Sequence, residues 1–176
     1  MTDPSPPRRE MERLWAGWRL AYVEGREGDE APGEGSLFER LLALDDSDER
    51  AFVLHRGPWC SALLNAYPYG TGHLMVVPNR AVADLGDLSA PEATELWATV
   101  HQAVAAVRAA YSPHGVNVGL NLGRAAGAGV PDHLHVHVLP RWEADTNFIT
   151  AVAEARVLPE SLNDTWQKLR DAWPSH

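Results

Sequence analysis

A chain of 176 residues, 45% of them apolar, has material for one sizeable core and falls in the size range of a single domain. Fifteen Lys and Arg against twenty-four Asp and Glu leave a net charge of −9, which excludes loose attraction to nucleic acid or anionic lipid; a phosphate ligand would have to be captured locally. Cys60 is the only cysteine, so no intramolecular disulfide and no thiol zinc knuckle can form, and no stretch approaches the roughly eighteen apolar residues of a membrane span. A soluble, cytoplasmic protein is expected.

Residues 1–35 read as an N-terminal arm and linker. MTDPSPPRRE is polar and proline-rich, MERLWAGWRLAYV carries Leu14, Trp15, Trp18 and Tyr22 near helical spacing, and EGREGDEAPGEG is acidic and rich in glycine. Residues 36–176 read as one domain. Ser36 is placed to cap a short helix, SLFERLLAL, that ends at the acidic turn DDSDER. Three strand-like runs follow, AFVLH (51–55), WCSALLNA (59–66) and HLMVVP (73–78), and their turn-rich connections predict an antiparallel meander.

Ser89 and Glu92 have capping-box spacing before a long helix whose apolar stripe is Leu96, Trp97, Val100, Val104, Val107 and Tyr111. Two more strands, GVNVGLNL (115–122) and HLHVHVLP (133–140), flank a loop with Gly123, Gly127 and Gly129. Ser161 opens a C-terminal helix with Leu162, Trp166, Leu169 and Trp173 on its apolar side.

Strand alternation puts His133, His135 and His137 on one face and Leu134, Val136 and Val138 on the other, with neighbouring imidazoles about 7 Å apart. Three readings compete. A half-exposed strand can carry polar residues by alternation alone, but three histidines in strict order beside a glycine loop point to a site. A zinc site is the second, because imidazole is the commonest zinc ligand, but same-face side chains of one strand converge poorly on one ion. The third is covalent catalysis, in which one imidazole attacks phosphorus while NLGRAAGAG supplies backbone N–H groups to an anion. That loop is neither a dinucleotide fingerprint nor a P-loop, since it leads into a strand and lacks G-K-[ST].

HLHVHVLPR (133–141) resembles the signature of the histidine triad, or HIT, family. LLNAYPYGTGHLMVVPNR (63–80) resembles that family's nucleoside-binding hairpin, and NLGRAAGAG (121–129) its phosphate loop, so the similarity runs over about residues 50–142. The resemblance implies an α+β fold with a five-stranded antiparallel sheet, a long helix and a C-terminal helix, assembled as a homodimer or higher homo-oligomer. It implies that His135 attacks an α-phosphorus to form a nucleotidyl-histidine, with His133 and His137 orienting it and contacting phosphate. His73 adds to the polar network, Asn65 matches the position that holds the ribose hydroxyls, and Asn121 the one that contacts phosphate or positions the nucleophile. From the residues alone, Asn65 could equally satisfy a turn and Asn121 the loop backbone.

Gly123, Gly127 and Gly129 belong to the expected phosphate site, and Arg141, with Arg124, is a nearby cation able to pair with a polyphosphate. PRWEADTNFIT (140–150) and RLWAGWRLAYV resemble an actinobacterial branch of the family that phosphorolyses diadenosine tetraphosphate, so inorganic phosphate is an expected co-substrate. The alternatives are water as the acceptor, a phosphoramidate hydrolase using the same intermediate, and a nucleotide sensor with little turnover. Two departures from the family stand out. The Cys-x-x-Cys pair that binds structural zinc in many relatives near helix 36–44 is missing from SLFER, so no metal or other cofactor is expected. Gly129 also stands where relatives place Gln, Ser or Thr, four residues before the first histidine of the run.

Overall fold

The computed structural model of the chain describes residues 35–44, 48–143, 145 and 160–174. Pro32–Glu143 and Leu158–His176 form one unit; the second, Met1–Ala31 with Ala144–Val157, lies outside the described residues apart from Asp145, and most of the expected N-terminal arm lies there with it.

Ser36 caps helix α1 (Leu37–Leu42) through a complete capping box, its hydroxyl accepting the Glu39 N–H while the Glu39 carboxylate accepts the Ser36 N–H. The acidic run read as a turn instead starts a helical turn, α2 (Asp48–Ala51), whose first residues Asp48 and Glu49 suit the positive end of a helix. The meander follows as β1 (Val53–Arg56), β2 (Cys60–Leu64) and β3 (Leu74–Pro78). After it come α3 (Ala90–Tyr111), β4 (Gly115–Leu120), β5 (Val136–Arg141) and α4 (Leu162–Asp171). The five strands make one sheet in the order β1-β2-β3-β5-β4, each neighbour antiparallel, the expected α+β architecture.

One sheet face is covered by α3, where Leu96, Val100, Ala103, Ala106 and Val107 pack on Leu64, Leu74, Val76, Val136 and Val138. The alanines let the helix sit close to the strands. Trp97, read as part of the apolar stripe, is 44% exposed instead, because the buried face runs through Leu96, Thr99, Val100 and Ala103 and turns position 97 outward. Leu162, Trp166 and Leu169 of α4 extend the same core, and the Trp166 Nε1–H donates to the Val53 carbonyl at 2.9 Å.

The opposite face carries a smaller cluster in which Phe38 of α1 packs with Ala51, Val53, Leu63, Met75 and Val77. β5 begins three residues later than the sequence pattern predicts. The Leu134 N–H donates to the Val82 carbonyl beyond β3, and the His133 N–H to Val130, so residues 133–135 leave the β3 ladder while keeping the alternation of faces. Leu134 still joins the α3 core, and the rings of His133 and His135 lie against Phe38.

Candidate active site

The hydrogen bonds around the histidines assign their protons, because a neutral imidazole has one donor and one acceptor nitrogen. His133 is fully buried, and its Nε2 lies 2.9 Å from the Pro78 carbonyl oxygen, which can only accept. His133 Nε2 therefore carries the proton, and Nδ1 accepts from the Ser36 hydroxyl at 2.5 Å. Burial holds its basicity below the ordinary imidazole value, so the ring is neutral near pH 7.

His135, also buried, places Nδ1 2.9 Å from the carbonyl oxygen of His133. That acceptor fixes the proton on Nδ1 and leaves the lone pair on Nε2, the form in which an imidazole is a nucleophile.

A second chain of bonds runs through His73, which is buried on the approach to β3. Its Nδ1 receives the Tyr69 backbone N–H at 3.0 Å and the Asn65 amide at 3.3 Å, so that nitrogen accepts and Nε2 donates to His137 Nδ1 at 2.9 Å. His137 must then hold its proton on Nε2. That atom is buried and has no hydrogen-bond partner among the described residues. Burial, with His135 nearby, brings the His137 pKa down to about 4, so it stays a neutral donor at physiological pH. The His135 and His137 rings meet edge to face, with centroids 5.0 Å apart. A proton-free nitrogen and an unpartnered N–H donor thus share one face of the sheet, the combination that a phosphoryl group undergoing attack requires.

The sheet keeps this face open. β4 sets Gly119 across from His137, and a Cβ there would meet nothing within 4 Å. Asn121 follows Leu120, whose partner is Val136, and so comes next to His135 in the order of the ladder. Asn65 is buried and does double duty: Oδ1 accepts the Tyr67 N–H at 2.8 Å in a local turn, the plainer of its two sequence readings, while its amide holds His73.

The glycine loop is exposed and turns at Gly123 and Gly127, whose φ values of +76° and +90° favour glycine. Its Ala126, Gly127 and Ala128 N–H groups bond to carbonyls of the loop itself, so in this conformation the Gly127 amide is not directed to a ligand. Gly129 has ordinary φ and open space in front of it. Arg141 stands four residues beyond His137, roughly 13 Å along the strand, and donates to Asn117 Oδ1 at 3.0 Å. It is therefore placed to reach only a distant part of a substrate.

Sequence reasoning missed four contributors. Ser36 was legible only as a helix cap, Phe38 only as apolar, and the Pro78 carbonyl carries no sequence signal. Tyr69, whose ring centroid is 4.6 Å from His73 and 5.6 Å from His137, was visible only as part of the hairpin. At α1 no thiol is present, and Ser36 and Glu39 are both engaged by N–H groups, so these residues do not fit the structural zinc site of the Cys-x-x-Cys relatives. Among the described residues no group of three or more His, Cys, Asp or Glu side chains is arranged to hold a metal.

Fold and site together define a five-stranded α+β domain that sets a histidine with a proton-free Nε2 beside a neighbouring imidazole N–H donor on one face of its sheet. The chain belongs to the HIT domain family, whose sequence pattern matches residues 47–144. It is 42% identical to a protein of Mycobacterium tuberculosis named AP-4-A phosphorylase, over 94% of this chain and 86% of that one. It is 38% identical to an asymmetrical bis(5'-nucleosyl)-tetraphosphatase of Schizosaccharomyces pombe, over 53% of this chain and 50% of the yeast protein. Among solved structures, a zinc-bound histidine triad family protein of Mycobacterium smegmatis superimposes with a TM-score of 0.57 at 26% identity, over 69% of this chain and 82% of that one.

Proposed function

We propose that the protein is an enzyme that cleaves dinucleoside polyphosphates by transferring a nucleotidyl group to His135. The observation that carries this reading is the pair of opposite tautomers on adjacent imidazoles: a lone pair on His135 Nε2 and an unpartnered N–H on His137 Nε2. In the first step a bond forms between His135 Nε2 and the α-phosphorus, and the bond from phosphorus to the bridging oxygen breaks. The leaving nucleotide departs as a phosphate anion, which needs no proton near neutral pH. The His137 N–H donates to the phosphoryl oxygens as charge gathers on them. The His133 carbonyl stabilises the positive charge that develops on the His135 ring by holding its Nδ1 proton.

In the second step an acceptor oxygen attacks phosphorus, the P–N bond breaks, and its electron pair returns to Nε2, which restores neutral His135. Inorganic phosphate is the acceptor we favour, supported by the 42% identity over nearly the whole chain to a protein named as a phosphorylase. Homodimeric assembly and a cytoplasmic location belong to the same reading. β4 is an outer strand of the sheet among the described residues, an edge suited to a second copy, and the lone Cys60 is buried as a thiol.

Incubation with diadenosine tetraphosphate, with and without phosphate, tests the reading by product identity. ADP and ATP formed only when phosphate is present are expected. AMP as the product would show that water resolves the intermediate, and absence of any cleavage would overturn the assignment.

A further inference from the structure

The Ser36 hydroxyl sits at the crossing of two tasks. It is the N-cap of α1, accepting the Glu39 N–H at 3.2 Å, and it is buried against the histidine run 97 residues later in the chain, 2.5 Å from His133 Nδ1. A hydroxyl has one proton and two lone pairs. The Glu39 N–H occupies an acceptor position, so the proton is directed to His133. That donation leaves His133 only one tautomer, with the proton on Nε2 toward the Pro78 carbonyl. Glu39 completes the clamp by accepting the Ser36 N–H at 2.8 Å with one oxygen and the Ala81 N–H at 3.0 Å with the other, which ties the helix cap to the segment leaving β3. Phe38, two residues on, meets the His133 ring edge-on at 5.2 Å and the His135 ring at 5.4 Å.

We propose that Ser36 is a positioning residue for the reaction: its hydroxyl locks the ring and backbone of His133, whose carbonyl in turn sets the nucleophilic tautomer of His135. The inference rests on the reading of His135 as the nucleophile. Without the hydroxyl, His133 Nδ1 becomes a buried nitrogen lacking a donor. The ring can then turn, and the carbonyl that holds the His135 Nδ1 proton shifts with it. Ser36 is buried with its hydroxyl engaged by His133 and the Glu39 N–H, so the consequence is expected in the rate of the chemical step rather than in binding.

Two variants separate this role from simple helix capping. Gly is tolerated as an N-cap and lacks the hydroxyl, whereas Thr keeps both the cap and the donor. With diadenosine tetraphosphate and phosphate, Ser36→Gly is expected to lose about tenfold in kcat, the scale typical of groups that orient a reacting imidazole, with KM within about twofold. Ser36→Thr is expected to restore kcat to near the wild-type value. The ¹⁵N chemical shifts of the ring nitrogens, measured without substrate, are expected to show His133 Nδ1 as a hydrogen-bonded acceptor in the wild type and as an unbonded, downfield-shifted nitrogen in Ser36→Gly, with Nε2–H kept by the Pro78 carbonyl in both. Wild-type kcat in Ser36→Gly, or a rise confined to KM, would overturn the proposal, as would an unchanged His133 Nδ1 shift. Should the wild type cleave no dinucleoside polyphosphate, the functional reading fails, while the spectra still decide whether Ser36 sets His133.

Discussion

On the α3 face of the sheet, Val136 and Val138 lie among leucines, valines and alanines with no polar partner to satisfy. On the opposite face, His135 is held by the His133 carbonyl and His137 by the imidazole of His73. The same strand supplies both. The apolar face gains from area removed from water and tolerates any side chain of the right volume. The histidine face gains from direction: in each ring a partner on one nitrogen decides where the proton goes, and an altered partner changes the chemistry before it changes the fold. The difference teaches that stability and reactivity are separable here, although they are only one residue apart in sequence.

The sharpest break in that comparison is His135→Ala, which is expected to lower turnover at least about 10³-fold while leaving nucleotide binding and melting temperature close to wild type. Product assay and calorimetry on the same preparation check it, and wild-type-like turnover would refute the nucleophile. On the other face, Leu96→Ala is expected to cost about 3 kcal/mol in denaturant unfolding, with kcat per folded molecule unchanged. A fall in kcat there would show that the faces are coupled.

Acid joins the two. The pKa of His137, about 4 in the folded state against an ordinary 6.5, means that the unfolded chain takes up a proton the folded chain refuses. Stability from this group is full above about pH 6.5 and is lost as pH falls toward about 4, by about 3 kcal/mol at most. The lowered His133 acts in the same direction. Urea titrations across that window test it, and a flat profile would contradict the buried neutral rings.

His137→Ala is expected to reduce kcat about a hundredfold, since alanine has no N–H to donate to the phosphoryl group, with a smaller effect on folding. The mildest expectation concerns Gly129→Ser. Ordinary φ and open space allow a side chain there, so the melting curve should correspond to a change under about 0.5 kcal/mol. A large loss would mean that the loop needs glycine at 129 as it does at 123 and 127.

Much of the fold was legible because period and punctuation agree. The Ser89–Glu92 capping box, the alternation through 133–138 and the turn residues around 67–72 each point to the element observed. Trp97 escaped because a helical stripe more than 100° wide does not say which of its edges faces the sheet. The start of β5 escaped because the Leu134 N–H found its acceptor at Val82, a tertiary choice with no local signal. The site was partly legible: alternation identified the histidine row, while its distinct roles came from the family resemblance. Ser36 shows the limit of local reading, since its cap role is written in S-x-x-E and its contact with His133 is not.

By itself the sequence determined which side chains share a face, since alternation along a strand follows from backbone geometry whatever the neighbours are. Only the tertiary structure decided where each proton resides. The tautomers of His133 and His137 depend on a carbonyl at the end of β3, the hydroxyl that caps α1 and an imidazole just before β3, groups that folding brings to the histidine run from two distant parts of the chain.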